Sequence, residues 1–351
     1  MKKVLYLSNI EVPYRVRFFN EFSKHCDLTV VYEREKSSSR NAEWTKSESG
    51  NYKTEYLGGI KIKGEDAFSL KVLKYVFGKY DEIIVGCYNS HVYMFAILLM
   101  KIFRIPYILN VDGEVFVGDK GFKNIAKKFF LSGASKYLAA GEKSAESLKA
   151  IAKGKEIVPY YFSSLSREEL QRNSQEKRER GNTVLVVGQY LHCKGLDVAL
   201  DVARKTPDVN YKFIGMGSKT NVFMEEYKAE GLPNVEFVPF LKKSELEEEY
   251  RTCGVFVLPS RQECWGLVIN EAASFGTPIV STYGSGAATE FLADSYPQFL
   301  AKPGDSESLL LAINNLRNSN TYEYSRFLLE KSKKYSIEAS LEAHIHICEL
   351  N

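Results

Sequence analysis

The sequence predicts an α/β fold made of two tandem Rossmann-like, doubly wound domains. Its 351 residues exceed the size at which one hydrophobic core usually keeps growing. Short β-rich runs alternate with segments of helical periodicity, which is the pattern of a parallel sheet with crossover helices. This alternation stops in a polar, densely charged stretch at residues 163–181 and then begins again. We therefore expect two sheets, joined by that stretch.

Each half supplies its own set of predicted strands. In the N-terminal half they are KVLYLSNI, DLTVVYE, DEIIVGCY, PYILNV and KYLAAG. In the C-terminal half they are TVLVVGQY, YKFIGMG, VEFVPF, VFVLPS and PIVST. We predict an N-terminal domain over residues 1–165 and a C-terminal domain over residues 182–335. A last helix over residues 336–351 either crosses back to the first domain or forms an interface.

Composition favours a soluble globular protein, with 44% hydrophobic and 26% charged residues. The most apolar stretch, residues 92–108, is interrupted by Lys101, Arg104 and Pro106, so it predicts no membrane-spanning helix. The N-terminus lacks the long apolar region and cleavage site of a signal peptide. Six scattered cysteines without a C-x-x-C pair predict reduced thiols and a cytoplasmic protein.

The net charge of +3 is unevenly distributed. Residues 1–165 carry 26 Lys and Arg against 18 Asp and Glu, whereas residues 166–351 carry 21 against 26. A basic half suggests an anionic partner, such as a membrane surface or nucleic acid. The acidic half argues against nucleic acid bound along the whole molecule, so we expect no nucleic-acid partner.

The segment VFVLPSRQECWGLVINEAASFGTPIVST holds the strongest chemical signal. We predict a buried strand that ends at Pro259, a loop that contains Glu263, and a helix that opens at Gly266 and contains Glu271. The first amides of such a helix suit a phosphate, and the two carboxylates can accept hydrogen bonds from sugar hydroxyls. The alternative is that both glutamates are ordinary solvated side chains.

The run PSRQECWGLVINEA resembles the signature of retaining glycosyltransferases of the GT-B fold, family 4 type (glycosyl transferases group 1). Such enzymes show P-S-x-x-E-x-x-G-x-x-x-x-E-A, and their G-x-P-V-V is matched here by GTPIV. The resemblance implies two Rossmann-like domains facing across a cleft, an N-terminal acceptor-binding domain over residues 1–165 and a C-terminal nucleotide-sugar-binding domain over residues 182–335. It also implies that Glu263 contacts the transferred sugar and that Glu271 contacts the nucleotide ribose.

A second match, VVGQYLHCKGLD, resembles the strand, V-G-R-L and K-G of the same family. It implies that Lys194 is the cation that binds the diphosphate and stabilises the leaving group. The alternative is that Lys194 is a surface lysine in a turn. Gln189 replaces the family's usual arginine, and we expect another cation such as Arg261 to compensate. The runs IGMG and GSGAATEFL add two weaker matches. The predicted donor-binding residues are Gly188, Gln189, Lys194, Gly215, Arg261, Glu263, Trp265, Gly266, Leu267, Val268, Glu271 and Glu290.

The acceptor side gives a thinner signal. Asp112 and Glu114 follow the strand PYILNV, where many relatives carry a histidine. We expect Asp112 to orient the acceptor hydroxyl and thus to join Lys194 and Glu263 as catalytic residues; the alternative is a helix N-cap. The predicted acceptor-binding residues are Tyr14, Arg15 and Glu114.

The segment KGFKNIAKKFFLSG predicts a basic amphipathic helix. Its apolar residues are Phe122, Ile125, Phe129 and Phe130, and its cations are Lys120, Lys123, Lys127 and Lys128. The apolar face either packs on the domain core or contacts an anionic membrane. The second alternative, together with the basic first half, predicts peripheral contact with the cytoplasmic face of a membrane.

The resemblance implies transfer of a sugar from a nucleoside diphosphate sugar, expected to be a UDP-sugar, to a glycan or polyprenol-linked acceptor, with retention, in cell-surface polysaccharide biosynthesis. We expect no metal and no cofactor besides this co-substrate, because the sequence shows no clear D-x-D. Two alternatives stay open, a sugar-nucleotide epimerase on the same fold and a non-catalytic membrane or partner-binding module. A nicotinamide oxidoreductase is disfavoured because no G-x-G-x-x-G follows the first strand.

Overall fold

The computed structural model of the chain describes residues 1–34, 50–63, 66–113, 122–175, 179–229 and 231–350. The chain divides into two compact units. The first unit comprises Met1–Phe162 and Ile337–Asn351, and the second comprises Ser163–Ser336.

The strands and helices alternate along both units. The strands are β1 Lys3–Ile10, β2 Asp27–Arg34, β3 Lys53–Tyr56, β4 Ile60–Lys63, β5 Asp66–Phe68, β6 Glu82–Val85, β7 Ile108–Val111, β8 Lys136–Ala140, β9 Ile157–Tyr160, β10 Val184–Val187, β11 Tyr211–Ile214, β12 Val235–Val238, β13 Val255–Leu258, β14 Ile279–Thr282 and β15 Leu300–Ala301. The helices are α1 Pro13–Phe22, α2 Val72–Val76, α3 His91–Ile102, α4 Phe122–Leu131, α5 Gly141–Ala152, α6 Arg167–Gln175, α7 Leu196–Lys205, α8 Thr220–Glu226, α9 Lys243–Thr252, α10 Leu267–Ser274, α11 Gly286–Leu292, α12 Ser306–Arg317, α13 Thr321–Ser332 and α14 Ile337–Ile347.

Each unit is built on a parallel sheet. Within the described ranges the first sheet has the order β3-β2-β1-β6-β7-β8-β9, and a separate antiparallel hairpin pairs β4 with β5. The second sheet has the order β12-β11-β10-β13-β14-β15. Strands such as β10 are buried along their whole length, as expected for a sheet covered by helices on both faces. The predicted α/β class with two Rossmann-like domains is therefore confirmed.

The segment predicted as a connection, residues 163–181, contains helix α6 and groups with the second unit. Leu170 and Asn173 on this helix are buried, and Asn173 Nδ2 donates to Ser274 Oγ at 2.9 Å. Only two residues of this helix are buried, and one of them is polar. The hydrophobic periodicity of the sequence therefore does not predict the helix.

Helix α14 lies in the first unit, where it packs against α1 and β9. Lys136 Nζ donates to the Ile347 carbonyl oxygen at 3.0 Å, and Lys2 Nζ donates to the Cys348 carbonyl oxygen at 2.9 Å. Two lysines thus bind carbonyl groups that a helix C-terminus leaves without intrahelical partners.

His344 lies on α14 and is buried in the first unit, with 2% of its surface exposed. Its ring lies 4.6 Å from the Phe18 ring and 5.4 Å from the Tyr160 ring, measured between centroids. Its Nδ1 donates to the Ser340 carbonyl oxygen at 2.7 Å. Burial lowers the pKa of His344 to about 4, so the imidazole is neutral near pH 7.

This lowered pKa predicts a loss of stability in acid. The unfolded chain binds a proton on His344 near its ordinary pKa of about 6.5, whereas the folded chain does so only near 4. The contribution of His344 to folding stability is complete above its pKa in the unfolded chain. It is lost as the pH falls toward its pKa in the folded chain. We expect about 2 kcal/mol of it to be lost between about pH 7 and pH 5. His344→Leu should lose correspondingly less stability over that range in urea unfolding.

The matched control is His346→Leu, because His346 lies two residues away with 69% of its side chain exposed. This variant should keep the acid sensitivity of the unsubstituted chain. An unchanged acid sensitivity in His344→Leu would contradict the prediction.

Candidate functional site

In the second unit two loops meet where the strand order reverses. β10 and β13 are paired neighbours, although β11 and β12 lie between them in sequence. Ligands of open parallel sheets bind beside the carboxyl ends of the strands at such a switch point. Lys194 follows β10 and Glu263 follows β13, so the two strongest sequence matches converge on this point.

A glycine allows the two loops to approach. Gly195 has a φ of 66°, and a Cβ atom there would lie 2.1 Å from the Pro259 carbonyl oxygen. The Arg261 and Gln262 amides donate to the Cys193 carbonyl oxygen at 2.8 and 3.1 Å. Steric contact therefore explains the glycine in the K-G of the sequence match, because a residue larger than glycine would separate the loops.

Lys194 and Glu263 form an ion pair between Nζ and Oε2. Their side chains are 23% and 18% exposed, so solvent screens the pair only in part. The main chain of Glu263 is fixed as well, because its amide donates to the Gly284 carbonyl oxygen at 2.8 Å and its carbonyl accepts from the Gly286 amide at 3.2 Å. The site thus holds a positioned cation beside a positioned carboxylate.

Helix α10 begins directly after this loop. Gly266 precedes it with a φ of 100°, and a Cβ atom there would lie 3.0 Å from Ser285 Oγ. Within the described part of the chain no side chain caps the first turn. The amides at the start of the helix, those of Gly266, Leu267 and Val268, are therefore suited to an anion.

Glu271, on α10, is held by residues from two other segments. Its Oε1 accepts from Ser164 Oγ at 2.9 Å, and its Oε2 accepts from the Tyr250 hydroxyl at 3.3 Å. Burial raises the pKa of Glu271, and these hydrogen bonds offset that rise only in part. The carboxylate is positioned before any ligand binds.

Arg261 is the cation expected to compensate for Gln189. Its guanidinium makes a two-pronged contact with Asp197, at 2.7 Å from Oδ1 and 2.6 Å from Oδ2, and it donates to the His192 carbonyl oxygen at 3.0 Å. Burial alone would raise the pKa of Asp197, but the hydrogen bonds and charge of Arg261 lower it. Arg261 would have to exchange this partner in order to bind a phosphate.

Gly188 and Gly215 mark a close approach at the ends of β10 and β11. Gly215 has a φ of 101°, and a Cβ atom there would lie 3.3 Å from the Gly188 carbonyl oxygen. The Gly188 amide donates to the Ile214 carbonyl oxygen at 2.9 Å. These two predicted donor-binding residues thus adjoin the switch point.

Trp265 and Glu290 are the most buried of the predicted donor-binding side chains. Trp265 is 3% exposed, and its indole N–H donates to Asn270 Oδ1 at 2.9 Å. Glu290 is 5% exposed and accepts from the Tyr335 hydroxyl at 2.9 Å. Both side chains pack within the unit, so any contact with a ligand would need them to rearrange.

In the first unit Asp112 follows β7 and accepts hydrogen bonds at both carboxylate oxygens. Arg15 Nη2 donates to Oδ2 at 2.9 Å. Asn110 Nδ2 donates to Oδ1 at 3.1 Å, and the Tyr160 hydroxyl also donates to Oδ1. The Arg15 side chain is 9% exposed and that of Asp112 is 23% exposed. The predicted catalytic carboxylate is therefore half of a mostly buried ion pair.

The predicted acceptor-binding residues fall into three situations. Arg15 is buried and its guanidinium donates to Asp112, so it is engaged by a partner within the first unit. Tyr14 is half-buried, and its ring contacts that of Phe162 at 5.4 Å. Glu114 lies outside the described residues.

Helix α4 is the predicted basic amphipathic helix. Ile125 and Phe129, four residues apart, are 64% and 45% exposed, whereas Phe130 packs against the core. Lys120 lies outside the described residues. Part of the apolar face thus meets solvent.

Sequence reasoning missed the partners that hold the site. Asp197 fixes Arg261, Ser164 and Tyr250 bind Glu271, and Tyr160 binds Asp112. Asp197 lies in the matched run VVGQYLHCKGLD, so a charge partner for Arg261 could have been sought there. The other three stand in segments without a motif.

Two further observations concern membranes and metals. None of the helices in the described ranges has both the length and the apolarity that crossing a bilayer requires. Within those ranges, no group of three or more His, Cys, Asp or Glu side chains is arranged to hold a metal ion.

Comparison with known proteins shows which family model the second unit matches. Residues 167–336 match the family model described as "Glycosyl transferases group 1". O-antigen chain mannosyltransferase C of Escherichia coli is 28% identical over 217 residues, which are 58% of this chain and 57% of that protein. Sulfoquinovosyl transferase SQD2 of Arabidopsis thaliana is 30% identical over 210 residues, which are 58% of this chain and 40% of that protein. The chain thus spans about half the length of these curated relatives.

Solved structures extend the likeness to both units. Anabaena HepE, crystallised in complex with UDP, aligns over 99% of each chain with a TM-score of 0.72 at 15% identity. Sucrose-phosphate synthase from Thermosynechococcus elongatus aligns over 99% of this chain and 98% of that one, with a TM-score of 0.69 at 15% identity. The likeness confirms the predicted GT-B fold.

Proposed function

We propose that this chain, whose residues 167–336 match the glycosyl transferases group 1 model, transfers a sugar from a UDP-sugar to a glycan or polyprenol-linked glycan, with retention at the anomeric carbon. The reaction serves cell-surface polysaccharide synthesis on the cytoplasmic face of a membrane. An O-antigen chain mannosyltransferase among the relatives and UDP in a structure of the same fold support this choice.

The observation on which the proposal rests is the ion pair between Lys194 and Glu263 at the switch point. Negative charge develops on the diphosphate as its bond to the sugar breaks. Lys194, together with the amides at the start of α10, stabilises that charge, and Glu263 accepts hydrogen bonds from the transferred sugar. Because these groups are positioned beforehand, little reorganisation is needed during the reaction.

The same cation and helix terminus perform the charge neutralisation that a metal ion performs in other enzymes. We therefore propose a metal-independent reaction with no cofactor besides the donor. Glu271 accepts hydrogen bonds from the ribose diol, as the family resemblance implies. Its raised pKa means that donor binding weakens in acid as the carboxyl group is protonated.

In the first unit, we propose that Asp112 orients the acceptor hydroxyl. It lies at the carboxyl end of β7, the edge of the sheet at which ligands of this class of fold bind. Tyr14 and Glu114 are also proposed to bind the acceptor.

Glu271→Ala should weaken UDP binding about 10- to 100-fold, because it removes charge-assisted hydrogen bonds to the ribose. Calorimetry with UDP measures this effect, and thermal unfolding checks that the variant is folded. Glu330→Ala is the control, since Glu330 lies on α13 with 69% of its side chain exposed. Equal UDP affinity in both variants would contradict the role of Glu271.

The function itself is tested with a panel of nucleoside diphosphate sugars, with and without glycan acceptors. The proposal expects one donor to be consumed mainly in the presence of an acceptor, with a glycoside of retained configuration as the product. Isomerisation of the donor without an acceptor would identify the epimerase alternative. A folded protein that binds none of the donors would favour the binding module.

A further inference from the structure

The first unit has an open pocket of about 610 Å³ at the amino ends of β7 and β8. It lies at the edge of the sheet opposite to Asp112, which follows the carboxyl end of β7. Its lining includes Lys101, Arg104, Lys153 and Lys155. The pocket is therefore separate from Asp112.

The pocket is strongly cationic. Its lining contains no acidic residue, and within the described part of the chain none of its four cations makes an ion pair. Helices α3, α4 and α5 end beside it, and their partial negative charges, about half a unit each, offset only part of four full positive charges. An anion is therefore the expected ligand.

Two of these cations occupy unusual backbone conformations. Arg104, just after α3, has a φ of 56°, and Lys153, just after α5, has a φ of 49°. A residue with a Cβ atom costs about 1 kcal/mol or more in this left-handed region, where glycine is the common choice. Both helices thus place a cation rather than a glycine at the rim of the pocket.

Exposed apolar side chains border the pocket. Ile102 and Phe103, between Lys101 and Arg104 in sequence, are 61% and 58% exposed. Phe77 is 51% exposed and contacts Phe103 at 5.1 Å between ring centroids.

Helix α4 extends this apolar border on the other side of Lys101. The Lys101 ammonium lies 3.8 Å from the centroid of the Phe129 ring, which is 45% exposed. Burial lowers the pKa of Lys101, and a neighbouring phosphate would offset that change. Cations and apolar groups therefore share one surface.

We propose that this basic pocket and the apolar side chains around it bind the phosphate headgroups of an anionic lipid bilayer and dock the first unit onto the membrane. Bilayer interfaces place phosphates next to acyl chains, and this surface offers cations next to aromatic and aliphatic groups. A second copy of the chain is disfavoured, because a two-fold contact would bring two sets of four cations together. The inference deepens the membrane location in the proposed function.

The test uses the full chain and vesicles of phosphatidylcholine, alone or mixed with phosphatidylglycerol. We expect binding to the anionic vesicles at low salt and little binding to the neutral ones. Lys153→Glu with Lys155→Glu should weaken partitioning about 30-fold or more, since each cation near such a surface contributes about 1 kcal/mol. Phe77→Ser with Phe103→Ser should weaken it on the order of 10-fold.

The matched control is Lys228→Glu with Lys334→Glu in the second unit. It changes the net charge equally, and Lys228 has a φ of 49°, as Lys153 has. If both double variants lose vesicle binding equally, the net charge of the protein and not this pocket binds the vesicles. Absent binding by the folded unsubstituted chain would overturn the proposal, as would a dimer in solution that Phe77→Ser with Phe103→Ser dissociates.

UDP calorimetry on the same variants separates this proposal from the proposed reaction. We expect the pocket variants to bind UDP as the unsubstituted chain does. If the chain binds vesicles but no nucleotide, the docking proposal stands and the proposed glycosyltransferase activity is excluded. If it binds UDP but no vesicles, the proposed activity stands and the docking proposal is overturned.

Discussion

Replacing Lys194 by alanine is expected to lower kcat on the order of 1,000-fold in a protein that stays folded. The reason is electrostatic, since Lys194 supplies the full positive charge beside the position proposed for the diphosphate leaving group. Gln189 adds no charge there, and Arg261 is engaged by Asp197. Neither residue is therefore ready to replace Lys194 without rearrangement.

A double variant distinguishes this catalytic role of Lys194 from a purely structural one. If the lysine served only to neutralise Glu263, then removing both charges in Lys194→Ala with Glu263→Gln would restore activity to the level of Glu263→Gln alone. We expect the double variant to be no more active than Lys194→Ala. Lys334→Ala is the control for the loss of an exposed lysine in the same unit. Recovery in the double variant would contradict the catalytic role.

The loops of this site could be predicted from the sequence because their constraints are local. The helix after PSRQECWG begins directly after Gly266, where the sequence placed its start, and Gly195 occupies a position that excludes a side chain. Backbone geometry of this kind selects glycine, so it leaves a mark that a single sequence reveals.

The contacts between segments could not be predicted in the same way. Ser164 binds Glu271 across 107 residues, and Tyr160 binds Asp112 across 48. A serine or tyrosine hydroxyl can hydrogen-bond to many partners, so its residue type does not identify the one that folding brings near. Asp112 shows the consequence, because its type and its place after a strand suggested a residue that orients the acceptor hydroxyl or a helix N-cap, and neither suggestion includes Arg15.

Breaking the pair between Arg15 and Asp112 should produce the largest loss of stability. Asp112→Ala leaves the buried guanidinium without its carboxylate, and removal of one partner of a buried pair costs about 3–5 kcal/mol. We expect urea unfolding of the first unit to show a loss of this size. Arg15→Met with Asp112→Leu should regain most of it, because it replaces both charges with apolar groups.

The double variant also separates stability from catalysis. If the proposed role of Asp112 is right, this variant is stable but lacks turnover at saturating donor and acceptor, since no carboxylate remains to orient the acceptor hydroxyl. If turnover returns together with stability, Asp112 acts only by holding Arg15, and the catalytic role is excluded. A double variant as unstable as Asp112→Ala would contradict the stability prediction, because uncompensated charge would then not be the cause of the loss.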